Sequence, residues 1–241
     1  MVMETLQIIK RPKKLEAFIF DLEGTLIETL EAYKMVFENA AENLRIPFKF
    51  NKKAFCELVD RGSSEEEILQ NLVGKDLALR LMEEIKKISI KVFTQNTRVI
   101  DGVDYVFSEI KKRGLQIAIF TNMEYKLGSL KVYVPSVATI EKFVNVEVTR
   151  MDVKRKKPAP DGVFECCKRL GVPPEKCVVV GDSSVDIKAG KAAGALTVAV
   201  LSGVGNLENL KKEKPDAIIP SIKELVSLLD MDVTEWKKTL K

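Results

Sequence analysis

Short apolar segments that alternate with helical patterns constrain the fold of this chain most strongly. Each segment is three to six residues long, which suits a buried strand, and several end in a polar turn. The segments are residues 15–20, 115–120, 144–148, 177–180, 195–200 and 217–219. Because uniformly apolar strands separated by helices form sheets that are covered on both faces, the pattern predicts an α/β fold with a doubly wound parallel sheet.

Amphipathic helical patterns fill the intervals after residue 100. Two of them place apolar side chains on one face and end before a glycine, Gly114 or Gly171. The predicted inward faces are Val103, Val106, Phe107 and Ile110 in the first and Val163, Phe164, Cys167 and Leu170 in the second. Both segments are therefore expected to pack on the sheet.

Residues 30–95 interrupt this alternation, because they carry helical patterns throughout. Asn51 is predicted to begin one helix, Ser64 and Glu67 to form a capping box on the next, and Asp76 to begin the last. A helical unit is thus expected to be inserted after the first strand. We predict an α/β core domain of residues 1–29 and 96–241 and an all-helical cap domain of residues 30–95.

The amino-acid composition excludes several kinds of site. The 241 residues include no histidine, which rules out serine–histidine triads and histidine-ligated zinc or iron. The four cysteines lack CxxC spacing, so we expect buried, reduced thiols. Acid–base chemistry must therefore fall to Asp and Glu, and positive charge to Lys and Arg.

Charge and hydropathy also predict which partners the protein lacks. Lysine and arginine number 39 and aspartate and glutamate 35, and this net charge of +4 is too weak to indicate nucleic-acid binding. The basic run at residues 154–157 is short and is expected to be solvated. No apolar stretch reaches the roughly 18 residues of a membrane span, and the N-terminus lacks the order of a signal peptide. We expect a cytoplasmic protein with neither nucleic acid nor membrane as a partner.

Four groups of polar residues lie at the carboxyl ends of predicted strands or in a loop that can reach these ends. Ligands of open parallel sheets bind at the carboxyl ends of the strands. The groups are Asp21-Leu22-Glu23-Gly24-Thr25, Thr121-Asn122, Lys157, and Gly181-Asp182-Ser183-Ser184-Val185-Asp186. Each group taken alone has an ordinary explanation as a turn, a helix cap or a solvated surface. Together they supply a nucleophile, an acid, anion donors, a cation and the oxygen ligands that Mg²⁺ prefers. Displacement on a phosphate ester requires such a set.

These motifs resemble those of the haloacid dehalogenase-type (HAD) phosphohydrolases, which have a Rossmann-like core. The resemblance runs in order through DLEGTL at 21–26, IFTN at 119–122, KPAPD at 157–161 and GDSSVDIKAG at 181–190. Residues 171–203 are similar to the branch that contains phosphoglycolate phosphatases and β-phosphoglucomutases. The helical insertion is similar to the cap domain of that branch.

The resemblance implies a role for each residue in the reaction. Asp21 would attack phosphorus and form an aspartyl-phosphate, and Glu23 would protonate the leaving alkoxide and then take a proton from water. Thr121 and the backbone of Asn122 would hold phosphate oxygens. Lys157 would offset negative charge on Asp21 and on the transferring group.

The resemblance also implies a metal site and a substrate class. Asp182 would bind Mg²⁺ together with Asp21 and the carbonyl of Glu23, and Asp186 would support that site or Lys157. Gly24 would let the backbone approach the phosphate closely. The expected partner is a small phosphorylated metabolite, such as phosphoglycolate or a sugar phosphate.

Glu23 departs from the family pattern, which usually has a second aspartate at this position. The additional methylene makes the carboxyl harder to fix, although some HAD branches carry glutamate here. A Mg²⁺-dependent phosphatase remains the main prediction. A phosphosugar mutase and a phosphate-binding regulatory module with little turnover remain alternatives.

The cap offers one candidate for substrate recognition. Arg61 lies in a predicted turn that could face the active site and bind a substrate phosphate or carboxylate, although arginines at such turns are more often solvated. The sequence predicts neither the structure of residues 123–143 nor an oligomeric state.

Overall fold

The predicted strands can be compared with a computed structural model, which describes residues 14–236. Strands in this range are β1 (Ala17–Phe20), β2 (Ile27–Glu28), β3 (Arg98–Val99), β4 (Gln116–Phe120), β5 (Val146–Val148), β6 (Cys177–Gly181), β7 (Leu196–Val200) and β8 (Ala217–Ile219). Six of them form a parallel sheet in the order β5-β4-β1-β6-β7-β8. Each of the six apolar segments forms one of these strands, so the predicted α/β fold is confirmed.

Helices surround this sheet and form the inserted cap. The helices in the described range are α1 (Leu30–Asn43), α2 (Lys52–Asp60), α3 (Glu65–Val73), α4 (Lys75–Asn96), α5 (Val103–Lys112), α6 (Leu127–Leu130), α7 (Ala138–Glu141), α8 (Asp161–Leu170), α9 (Ser184–Ala193), α10 (Leu207–Lys212) and α11 (Leu225–Leu229). Within residues 14–236, no helix combines the length and the apolar character that a membrane span needs.

Both faces of the sheet are buried because its strands are apolar on both sides. Phe18 and Phe20 of β1 lie in a core cluster that includes α5 and α11, whereas Ala17 and Ile19 lie in a second cluster with α8. This alternation follows from the period of two residues along a strand. Each face of β1 is therefore shielded from water, and the end of β1 is held in place by strands on both sides.

The cap has a core of its own. Helices α1 to α4 bury a cluster around Val36, Phe37 and Leu81, against which further aromatic rings pack. Asn51 accepts a hydrogen bond from the Ala54 N–H, and Ser64 forms the predicted capping box on α3. The positions at which the chain divides into domains remain a prediction.

Two local predictions were wrong. Asp76 does not cap α4; it lies in the first turn, because the cap is Gly74, two residues earlier, whose positive φ (+84°) favours glycine. Phe164 is 47% exposed, because Cys166 rather than Phe164 occupies the face of α8 that packs on the sheet.

The cap is connected to the core through two short strands. β2 precedes the cap and β3 follows it, and they pair antiparallel with Ile27 opposite Val99 and Glu28 opposite Arg98. An ion pair of 2.8 Å between Arg98 Nε and Glu28 Oε2 adds to this contact. The two connections to the cap therefore lie side by side.

Candidate active site

The candidate site lies at the carboxyl ends of the central strands. Asp21 follows β1, Thr121 follows β4, and Asp182 follows β6. Because β1 pairs with β4 and β6 on either side, the three strand ends are adjacent. The Asp21 N–H donates to the carbonyl of Val180 (2.8 Å), which fixes the backbone of Asp21 beside β6.

Three aspartates converge at this point. Asp21, Asp182 and Asp186 each offer a carboxylate oxygen, and the three atoms lie within 4.8 Å of one another. Asp182 and Asp186 are almost fully buried, and Asp21 is partly buried. Carboxylates at this spacing repel one another strongly unless a cation or a proton lies between them.

Lys157 supplies one cation to this cluster. Its ammonium donates to Asp21 Oδ1 and to Asp186 Oδ1 (2.7 Å to the latter), and it lies 4.9 Å from the centre of the Phe120 ring. Burial alone would lower the pKa of Lys157, but Asp186 and Asp21 outweigh burial and raise the pKa above its ordinary value. The lysine is therefore positively charged at any pH at which the protein would function.

One ammonium does not neutralise three carboxylates. Burial raises the pKa of Asp21 to about 6, with Lys157 opposing the shift and Asp186 adding to it. Burial, followed by the charges of Asp21 and Asp186, raises the pKa of Asp182 well above its usual range. When the three carboxylates are ionised, the site has a net negative charge that favours the binding of a further cation.

The oxygen donors fit a hard divalent ion such as Mg²⁺. Asp186 already uses Oδ1 for Lys157 and Oδ2 for the N–H and hydroxyl of Ser183. Asp21 and Asp182 are less occupied, so they are the better candidates for direct ligands. Asp186 is better placed to hold Lys157, which is one of the two roles expected for it.

Glycines make room for Asp182. A Cβ atom on Gly24 would lie 2.6 Å from Asp182 Oδ2, and one on Gly203 would lie 1.9 Å from the same atom. The other fixed contacts of this carboxylate are the Val204 N–H, which donates to Oδ2 (2.7 Å), and the Thr25 hydroxyl, which is 3.3 Å from Oδ1. Gly24 adopts φ of +77°, which favours glycine. Gly24 thus shapes the pocket around Asp182, and its predicted contact with phosphate stays a prediction.

Glu23 lies beside this cluster, and its side chain is directed toward the cap. The Tyr33 hydroxyl in α1 donates to Glu23 Oε1 (3.1 Å). Burial, reinforced by the charge of Asp21, raises the pKa of Glu23 to about 7. A carboxyl group with this pKa carries a proton in an appreciable fraction of molecules near neutral pH and can act as an acid or a base.

Thr121 and Asn122 occupy the end of β4. The Thr121 hydroxyl accepts a hydrogen bond from the Met123 N–H (3.0 Å), which leaves its own proton for another acceptor. The Asn122 side chain accepts from the Lys157 N–H (3.0 Å) and so fixes the loop that carries the lysine. The sequence did not reveal this link, because the two residues are 35 positions apart.

Arg61 is not joined to the carboxylate cluster. Its side chain is 69% exposed and pairs with Glu57 at 3.7 Å. The residue before it, Asp60, is buried and accepts hydrogen bonds from the Ser184 N–H (2.6 Å) and hydroxyl (3.0 Å) and from Asn209 (3.3 Å). This link between cap and core was missed, and an acidic residue just before a glycine turn was the only signal for it.

Comparison with known proteins agrees with this arrangement. The chain is 26% identical over 226 residues to the phosphoglycolate phosphatase of Aquifex aeolicus, with 92% of this chain and 100% of that protein covered. It is 26% identical over 225 residues to the pyrophosphatase PpaX of Oceanobacillus iheyensis, with 89% and 97% covered.

Among solved structures, the β-phosphoglucomutase of Clostridium difficile has the same fold. The TM-score is 0.67 at 23% identity, and the match covers 88% of this chain and 93% of that one. The profile of the haloacid dehalogenase-like hydrolases matches residues 18–200, which include all four motifs from Asp21 to Asp186. The protein is therefore an enzyme that belongs to the haloacid dehalogenase-like hydrolase family.

Proposed function

We propose that this enzyme is a Mg²⁺-dependent phosphatase that hydrolyses a small phosphorylated metabolite through an aspartyl-phosphate on Asp21. One observation carries the proposal: the Lys157 ammonium lies between Asp21 and Asp186, and Asp182 is within 4.8 Å of both carboxylates. This arrangement suits attack by a carboxylate on a phosphate dianion, because positive charge must reduce the repulsion between the two anions. Its metabolite is proposed to be phosphoglycolate or a sugar phosphate, which the name of the Aquifex relative supports.

In the first step, an oxygen of Asp21 forms a bond to phosphorus while the bond between phosphorus and the substrate oxygen breaks. Glu23 gives its proton to the leaving alkoxide. The Thr121 hydroxyl and the Asn122 backbone hold phosphate oxygens, and Lys157 offsets their charge. A bound Mg²⁺, held by Asp21, Asp182 and the carbonyl of Glu23, would supply further positive charge for the transferring group.

In the second step, water attacks the aspartyl-phosphate. Glu23, now ionised, takes a proton from this water as the new bond to phosphorus forms. The bond between phosphorus and Asp21 then breaks, and inorganic phosphate leaves. Dividing the reaction in this way replaces one difficult displacement with two easier ones. The cap would exclude bulk water and contact the leaving group.

A metabolite screen tests this proposal. The protein is assayed for phosphate release from p-nitrophenyl phosphate and from a panel of phosphorylated acids and sugars, with Mg²⁺ and with EDTA. We expect metal-dependent turnover that Asp21→Asn abolishes and Asp101→Asn, at an exposed position, preserves. Turnover in EDTA, or full activity of Asp21→Asn, would refute the mechanism.

Two further measurements separate the alternative functions. The likeness to β-phosphoglucomutase is a likeness of fold. Formation of an isomer without phosphate release would favour a mutase, and capture of fluoroberyllate without hydrolysis would favour a regulatory module. The cytoplasmic location expected from the sequence stays a prediction.

A further inference from the structure

The carboxyl group of Glu23 is held by a residue of the cap. Tyr33 lies in the first turn of α1, ten positions after Glu23, and its hydroxyl donates to Glu23 Oε1 at 3.1 Å. Glu23 Oε1 is therefore tied to the start of the cap.

The Tyr33 ring is itself held in place by aromatic packing. Phe93 meets it edge to face at 5.0 Å between ring centres, Phe55 lies at 5.2 Å, and Phe37 lies at 6.3 Å. Such contacts fix the plane and the depth of a ring within a core. The position of the Tyr33 hydroxyl is thus set by the core of the cap.

A fixed donor matters here because glutamate has one more rotatable bond than aspartate. A free Glu23 side chain would sample several rotamers, and only some of them bring Oε2 toward the leaving group. A hydrogen bond from a phenol whose ring is packed on several sides restricts that choice.

We propose that Tyr33 is a positioning residue, whose hydroxyl holds Oε1 of Glu23 so that Oε2 presents its proton to the leaving oxygen. This inference rests on the proposed function, because it assigns a role within that reaction. Tyr33 does not touch the substrate phosphate in this account and acts through Glu23. A tyrosine that only fills the core of the cap would instead affect all substrates equally.

A positioning role and a purely structural role of Tyr33 differ in how the loss of activity depends on the leaving group of the substrate. An alkoxide is a poor leaving group that needs a proton, whereas p-nitrophenolate leaves without one. The test compares wild type with Tyr33→Phe on p-nitrophenyl phosphate and on the alkyl phosphate that the wild type hydrolyses best. The quantity measured is kcat/KM, because it reports the step in which the leaving group departs.

We expect Tyr33→Phe to lower kcat/KM by about tenfold or more on the alkyl phosphate and by less than about threefold on p-nitrophenyl phosphate. In a Glu23→Gln background, the same substitution should cause no further selective loss, because the proton donor is already absent. Tyr105→Phe is the matched control, because Tyr105 is an exposed tyrosine in α5, outside the cap. It should change kcat/KM on neither substrate.

Equal losses on both substrates, or a selective loss that persists in the Glu23→Gln background, would overturn the inference. Should Tyr33→Phe melt below the assay temperature, Phe93→Leu tests the same point, since it loosens the ring and leaves the hydroxyl in place. Phe93→Leu should also lower kcat/KM selectively on the alkyl phosphate. An equal loss on both substrates would contradict the positioning role of Tyr33. If the wild type hydrolyses no phosphate ester, the proposed function itself is contradicted. That outcome is read from the wild type alone and does not depend on the variants.

Discussion

Mg²⁺ should bind the metal-free protein about tenfold more tightly at about pH 7.5 than at about pH 5, because binding displaces a proton from Asp21. The pKa of Asp21 is raised to about 6 by burial. At about pH 5 this carboxyl is therefore protonated in roughly nine of ten molecules, and at about pH 7.5 in only a few of a hundred. A ligand must be ionised to bind the ion, so the protonated fraction reduces the apparent affinity by about tenfold, or about 1.4 kcal/mol. Asp182, whose pKa is also raised by burial, adds to this difference.

Isothermal titration with MgCl₂ measures this effect directly. Repeating the titration at the lower pH in two buffers of different ionisation enthalpy counts the protons that are released. Asp182→Asn should weaken binding at both pH values, and Asp101→Asn, an exposed change, should not. Affinity that does not vary with pH, or binding without proton release at the lower pH, would refute the charge argument.

Three further outcomes are expected. Burial raises the pKa of Glu23 to about 7, above its ordinary value of 4.5, so Glu23 should contribute up to about 3 kcal/mol to the unfolding free energy of the metal-free protein at low pH. This contribution should be lost as the pH rises from about 4.5 to about 7, and Asp21 and Asp182, whose pKa values are also raised, should add to the loss. Chemical denaturation across that range checks this, and Glu23→Gln should make the unfolding free energy fall less steeply with pH than in the wild type; an unchanged slope would contradict the argument. Gly203→Ala should abolish Mg²⁺ binding measured by calorimetry, since its Cβ would lie 1.9 Å from Asp182 Oδ2; unchanged affinity would contradict the steric argument. Asp60→Ala should destabilise the protein by about 1–3 kcal/mol, because the buried N–H of Ser184 loses its acceptor, and an unchanged thermal midpoint would show that the contact is unimportant.

The sequence predicted where three candidate site residues lie in the fold because each of them follows a strand. Asp21, Thr121 and Asp182 come directly after apolar segments, and parallel strands bring their carboxyl ends to one edge of a sheet. The position of Lys157 was harder to predict, because Lys157 lies in a loop that could reach the strand ends but does not itself follow a strand. The structure adds the ammonium's contacts with Asp21 and Asp186.

Contacts between cap and core could not be predicted. Tyr33 packs against the core of the cap, and helical periodicity predicts which face of a helix is inward without predicting what a tyrosine hydroxyl will meet. Asp60 and Ser184 are 124 positions apart, so no local pattern connects them. Residues 123–143 form only short helical turns, such as α6 and α7, which are too brief to show a period.

The pairing of β2 with β3 has a consequence for replacing the helical insertion between them. Because Ile27 lies opposite Val99, the chain leaves the part that contains the parallel sheet and returns to it at one point. A helical module of a different length could be exchanged at that junction without shifting the strands on which Asp21 and Asp182 depend. Grafting another family member's module between residues 28 and 98 should therefore leave the parallel sheet and the cluster of Asp21, Asp182 and Asp186 in place.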